Sequence, residues 1–114
     1  MFFENRHGLK ISVLVEGSGD ELVFVMPGYG GFKSQPHIRT IVKAFVDNGF
    51  VAVSFDPTHS VGESDGEYEK ATTTSYLEDL EDVINWAKDK IKDTYIKISD
   101  DFKKCEFKNN WKKN

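Results

Sequence analysis

An α/β fold with parallel strands and crossover helices is what this sequence predicts, and three observations predict it. An apolar run, Leu22-Val23-Phe24-Val25-Met26, stops at Pro27-Gly28-Tyr29-Gly30-Gly31. A helix-period pattern comes next, and a second apolar run, Phe50 to Phe55, follows the helix. Rich in β-branched and aromatic residues, the first run reads as a core strand buried on both faces, which a parallel sheet requires. Strand, helix, strand in that order calls for a right-handed parallel crossover.

The elements ahead of that unit form a hairpin. Met1 to Asn5 and Leu9 to Glu16 flank the turn-like Asn5-Arg6-His7-Gly8, and Ile11, Val13 and Val15 alternate with Ser12 and Leu14. Gly17-Ser18-Gly19-Asp20 then turns the chain into the core strand. Beyond the glycine loop, Pro36 is placed to open a helix, because its fixed φ and missing N–H suit the first turn. Ile38, Ile41, Val42, Phe45 and Val46 recur at spacings of three and four, and Asn48-Gly49 supplies residues that tolerate a left-handed terminus.

From Asp56 to about Thr74 the sequence reads as a long loop punctuated by Pro57, Gly62 and Gly66. Ser75 with Glu78 has the spacing of a capping box, and Leu77, Leu80, Ile84, Ala87 and Ile91 make an apolar seam on the helix it would start. Glu78, Asp79, Glu81 and Asp82 stand early in that helix, where its dipole favours them, and read as a solvated face rather than as metal ligands.

Charge divides the chain near Lys88. Residues 1–87 hold 6 Lys or Arg against 14 Asp or Glu, whereas residues 88–114 hold 9 against 5. Residues 1–90 therefore read as one body and 91–114 as a divergent Lys/Asn-rich tail, with room for a short strand at Thr94–Ser99 and a helix. A net charge of −4 gives no reason to expect a nucleic-acid partner. Cys105 is alone, which excludes an internal disulfide and fits a reducing compartment. The first residues lack the basic and apolar regions of a signal peptide, and no apolar run reaches the roughly 18 residues a membrane span needs. A cytoplasmic protein without membrane association is the expectation.

Chemistry concentrates in the glycine loop. As an oxyanion hole, the Tyr29 N–H would face a developing negative oxygen, with a second N–H supplied by a nucleophile loop. As a phosphate cradle it would need a helix directly after the glycines and a fuller motif than Gly28, Gly30 and Gly31 provide. A ligand-free turn is the third reading. Gly62-Glu63-Ser64-Asp65-Gly66 is literally G-x-S-x-G, yet a nucleophile elbow needs a strand ending at the serine and a helix starting after it. Here the expected strand ends near Phe55, the helix waits until about Ser75, and His7, His37 and His59 all precede Ser64. His59 alone among the histidines falls in a loop above the sheet, near a ligand; His37 reads as a surface residue. No His or Cys spacing suggests a metal, and no cofactor is called for.

Three segments resemble the opening portion of α/β-hydrolase-fold serine hydrolases, in particular the cytosolic bacterial branch grouped with serine aminopeptidase-like and dienelactone-hydrolase-like proteins. Val23 to Lys33 looks like their third strand and oxyanion loop, with Pro27 where His is commoner. Phe55-Asp56-Pro57-Thr58-His59-Ser60-Val61-Gly62-Glu63-Ser64-Asp65-Gly66 looks like the segment after their fourth strand, and Tyr76 to Ala87 like the helix before their fifth. The resemblance implies an incomplete α/β-hydrolase-type fold over residues 1–90, with Tyr29 contributing its backbone to an oxyanion hole in a complete relative. It implies no triad. Where the family places its elbow this chain has Ile96-Lys97-Ile98-Ser99-Asp100-Asp101, with Lys97 and Asp101 at the two glycine positions, and no general base follows Ser99.

Two functions follow as expectations. One is the amino-terminal part of an esterase- or peptidase-type serine hydrolase, inactive alone, whose complete relative would take a small ester or peptide-like ligand. The other is a small binding or oligomerising module, a homodimer through an exposed sheet edge beside the core strand, with the basic tail as a contact arm. A nucleotide-binding half-domain is a third reading that only the three glycines recommend.

Overall fold

The computed structural model describes residues 1–90. The strand expected at Thr94–Ser99, with Lys97, Ser99, Asp101, Cys105 and the rest of the Lys/Asn-rich tail, lies outside the described residues.

Four strands form one mixed sheet: β1 (Phe2–Glu4), β2 (Lys10–Glu16), β3 (Glu21–Val25) and β4 (Phe50–Asp56), in the order β1-β2-β4-β3. The opening hairpin is present, with Phe2 opposite Ser12 and Glu4 opposite Lys10. Its turn is held by Asn5, whose Oδ1 accepts the N–H groups of His7 and Leu9, and by Gly8 at a φ of +76°. β2 runs antiparallel to β4, and β3 runs parallel to β4 with Val23 opposite Ala52. The parallel pair is joined by α1 (Pro36–Asp47).

Helices cover both faces of the sheet, and the two-residue alternation of β4 separates the two cores. Val51, Val53 and Phe55 point to α2 (Thr73–Lys90), where they meet Ile11, Val13, Val83 and Ala87. Ala52 points the other way, to Val25 and to Ile38 and Val42 of α1. Phe55 is fully buried, and burial of a side chain of its size contributes about 3 kcal/mol.

Three expectations are corrected. Among the described residues the apolar run before the glycine loop is not the most buried strand: every residue of β4 from Val51 to Asp56 is buried, whereas Leu22, Val23 and Phe24 are half-buried. Among the described residues β3 pairs on one side only, so the buried centre passes to β4. The second helix starts at Thr73, two residues earlier than its expected cap. Thr72 and Ser75 cap it reciprocally, each side-chain hydroxyl accepting the other's backbone N–H at 2.9 and 3.0 Å, so a serine does what Glu78 was expected to do. Its acidic start is only partly solvated. Asp79 and Glu81 are buried, and the inward stripe is Tyr76, Leu80, Val83 and Ala87 rather than a seam through Leu77 and Ile84.

The loop from Pro57 to Thr72 contains one short 3₁₀ turn, Tyr68–Lys70. No helix among the described residues is long and apolar enough to cross a membrane.

Candidate functional site

The glycine loop leaves β3 at the carboxyl ends of the parallel strands, where sheets of this class bind ligands. Gly28 to Gly31 form a single turn closed by the Gly31 N–H donating to the Gly28 carbonyl at 2.8 Å. Gly30, at a φ of +83°, occupies the third position, where a type II turn needs a left-handed residue. Such a turn presents the amide of its second residue outward, and the Tyr29 N–H donates to none of the described residues. The helix does not follow directly, since Phe32 to Gln35 intervene before Pro36. A phosphate cradle at a helix N-terminus is therefore not formed here.

Aromatic rings brace the turn on one side. The exposed Tyr29 ring stacks on Tyr76 at 5.5 Å and meets Tyr68 edge-on at 5.7 Å, and its hydroxyl donates to the Ala71 carbonyl at 2.9 Å. Tyr76 is buried and its hydroxyl has no hydrogen-bond partner among the described residues. Burial pushes the Tyr76 hydroxyl pKa up; the Gly30 amide, close by but outside hydrogen-bond geometry, works in the opposite sense.

On the other side stands a polar knot that sequence reasoning missed. Asp56, the last residue of β4, is 1% exposed and accepts three hydrogen bonds. Its Oδ1 takes the Lys33 backbone N–H at 2.7 Å, while Oδ2 takes the Lys33 ammonium at 3.1 Å and the Glu63 backbone N–H at 2.9 Å. The Lys33 ammonium also donates to the Glu63 carboxylate at 2.7 Å. Burial works to lower the Lys33 pKa, but the hydrogen bonds and charges of Glu63 and Asp56 outweigh it, and the net shift is upward. Gly62 is required for this contact, since a Cβ there would run into the Asp56 carboxylate. Three segments are thereby locked together: the end of the glycine loop, the end of β4 and, a few residues beyond it, the G-x-S-x-G stretch.

That stretch is structural. The Ser64 hydroxyl accepts the Ser12 N–H at 2.8 Å and donates to the Asp56 carbonyl at 2.5 Å, which pins the loop to β2 and β4. Neither a strand runs into Ser64 nor a helix out of it. His59 closes the same loop, its Nδ1 accepting the Glu67 N–H at 3.0 Å and its own N–H donating to the Asp65 carbonyl. It sits at a φ of +62°, with Gly66 so close to its ring that a side chain there would collide. His37 is exposed at the start of α1, and His7 is exposed beside Glu78.

The acidic start of α2 forms two anchors. Asp79 is 1% exposed and accepts from Asn5 Nδ2 at 2.9 Å, from the Thr58 N–H at 2.7 Å and from the Thr58 hydroxyl at 2.6 Å. Arg6 forks across Glu78, Glu81 and Asp82, and Asp82 is the main cause of its raised pKa. Among the described residues no three His, Cys, Asp or Glu side chains are grouped to hold a metal.

No protein-family model matches the chain, and no curated protein matches it. Solved structures do. Est1E from Butyrivibrio proteoclasticus, solved with ferulic acid bound, superposes with a TM-score of 0.70 at 20% identity over 78% of this chain and 37% of its own. The α/β hydrolase GrgF from a Penicillium species gives 0.66 at 24% identity, over 79% of this chain and 32% of its own. An esterase of Pyrococcus furiosus gives 0.70 at 20% identity, over 86% and 37%. At these identities the likeness concerns the fold. The chain spans about a third of the length of these proteins, and its described part has an incomplete α/β-hydrolase fold.

Proposed function

We propose that this chain supplies the oxyanion side of an esterase- or peptidase-type serine hydrolase domain of the serine aminopeptidase-like or dienelactone-hydrolase-like branch. The nucleophile, acid and histidine would come from sequence other than residues 1–90. The uncommitted Tyr29 N–H carries this reading. It sits in a turn at the carboxyl end of β3, braced by aromatic rings and tied through Lys33 to Asp56.

In acyl transfer the attacked carbonyl oxygen gains negative charge as the tetrahedral intermediate forms. A fixed amide aimed at that oxygen stabilises the transition state more than the substrate, and one such donor is worth about 3 kcal/mol. The Tyr29 amide would serve as one donor and an amide beside the incoming nucleophile as the second. Ester hydrolysis is favoured over peptide hydrolysis because the neighbours of this fold include the Pyrococcus furiosus esterase.

The described residues hold Ser64 and His59, but both are spent on closing their own loop. The 114-residue chain is therefore expected to hydrolyse no activated ester through a serine. A fluorophosphonate probe incubated with the purified chain should leave every serine unlabelled. Labelling at a single serine, mapped by mass spectrometry, would overturn the proposal.

A further inference from the structure

We infer that His59 positions the aromatic brace of the glycine turn, and that a proton on its ring releases that hold. His59 is half-buried at a φ of +62°, a backbone region that disfavours any residue with a Cβ. It grips the chain on both sides of Gly66. Its own N–H donates to the Asp65 carbonyl at 3.0 Å, and its Nδ1 accepts the Glu67 N–H at 3.0 Å. Between these contacts Gly66 leaves no room for a Cβ beside the ring. A backbone N–H can only donate, so Nδ1 must carry its lone pair and the neutral ring must hold its hydrogen on Nε2. The doubly protonated ring has an N–H on each nitrogen and accepts nothing. Protonation at Nδ1 and the Glu67 contact therefore exclude each other.

That contact fastens a short segment. Glu67 precedes the 3₁₀ turn Tyr68–Lys70, which closes on itself as the Lys70 and Ala71 N–H groups donate to the Glu67 and Tyr68 carbonyls. Among the described residues, hydrogen bonds tie residues 67–71 to the rest of the molecule at two points, His59 and the Tyr29 hydroxyl. The Tyr29 ring rests on this segment, edge-on to Tyr68 and bonded to the Ala71 carbonyl. Losing the His59 contact leaves Tyr29 to hold the segment alone, and the brace slackens. Its consequence for the Tyr29 amide as an oxyanion donor rests on the hydrolase reading; the latch itself does not. Charged groups reach the neighbourhood from the loop and from two packed elements. Asp65 and Glu67 flank His59, and Lys70 pairs with Glu67. Asp79 of α2 holds the adjacent Thr58, and Lys10 of β2 donates its backbone N–H to Asp65. Among the described residues none of these carboxylates forms an ion pair with the His59 ring, so none replaces the lost hydrogen bond.

Amide hydrogen exchange in the purified 114-residue chain, corrected for the intrinsic pH dependence of exchange, tests the latch without any activity. The Glu67 amide should be protected at pH about 8 and about tenfold less protected at pH about 5, on either side of the ordinary histidine range. His59→Asn tolerates a positive φ and sets Oδ1 where Nδ1 stood, so it should keep equal protection at both values. His59→Gly relieves the backbone and has no acceptor, so it should show the weak protection at both. Asp65, Glu67 and Asp79 remain in both variants, and a loss that they caused would persist in His59→Asn. That persistence overturns the inference. So does a wild-type Glu67 amide equally protected at both values, or a His59→Gly variant that matches the wild type at pH about 8.

Discussion

Two carboxylates grip the same short segment of chain from opposite faces of the sheet. Asp56 and Asp79 are each 1% exposed and each accept three hydrogen bonds, yet their partners differ in kind. Asp56 faces a cation, the Lys33 ammonium, and through it a second carboxylate at Glu63. Asp79 is held only by neutral donors, Asn5 and the amide and hydroxyl of Thr58. Both secure the exit from β4, but only the first also fixes the glycine loop. The difference teaches that the candidate oxyanion turn is held from outside, by a charge pair anchored on the neighbouring strand.

Replacing one partner of a buried ion pair leaves the other charge stranded, whereas a neutral cradle loses no more than its hydrogen bonds. Asp56→Asn is therefore expected to have the largest effect. Whichever way the amide turns, its NH₂ group confronts a donor, either the Lys33 N–H or the Lys33 ammonium together with the Glu63 N–H. A loss of about 3–5 kcal/mol is expected for breaking such a pair, measured by urea unfolding. A loss below about 1 kcal/mol would show that Glu63 alone satisfies Lys33 and that the turn is not held through Asp56.

Asp79→Asn sharpens the contrast. Its amide conflicts with one side of the site, at Asn5 Nδ2 or at Thr58, and no ammonium is left behind. The expected loss is about 1–3 kcal/mol on the same unfolding curve. If it equals or exceeds that of Asp56→Asn, the cation at Asp56 is not what separates the two sites.

Little of this was legible in the sequence, although most of the fold was. The hairpin, α1 and β4 follow directly from periodicity and turn residues, and the glycine loop from Gly28, Gly30 and Gly31. The one-sided pairing of β3 among the described residues does not, because helices cover both faces of the sheet. Leu22 and Phe24 pack toward α2 while Val23 and Val25 pack toward α1, so a strand between two helical layers reads as apolar whether it is paired on one side or on both. The rotation of α2 was hidden for another reason. Asp79 faces inward because Thr58 and Asn5 satisfy it there, and hydrophobic spacing counts no hydrogen bonds. Lys33 and Asp56 are 23 residues apart with no local pattern between them. The one trace was Gly62, a glycine whose missing side chain makes room for a carboxylate.

Tyr76 is another buried polar group of the site, and it lacks what both carboxylates have. Its hydroxyl is unpartnered among the described residues, so Tyr76→Phe removes an unsatisfied group while keeping the ring that stacks on Tyr29. At neutral pH the change should be neutral or stabilising, by up to about 1 kcal/mol. In alkali the sign becomes clearer. Burial raises the Tyr76 pKa above the ordinary tyrosine value, so over that window the folded chain keeps a proton that the unfolded chain has released. Its contribution is fully present below a pH of about 10 and is lost as pH rises through the folded value. Lys33, raised by its carboxylates, loses its contribution in the same direction. Unfolding of the wild type should therefore become easier above pH of about 10, and Tyr76→Phe should fall less steeply there, leaving only the share that belongs to Lys33. Identical alkaline slopes for the two proteins would mean that the Tyr76 hydroxyl finds a hydrogen-bond donor in solution, and that the Gly30 amide closes onto it.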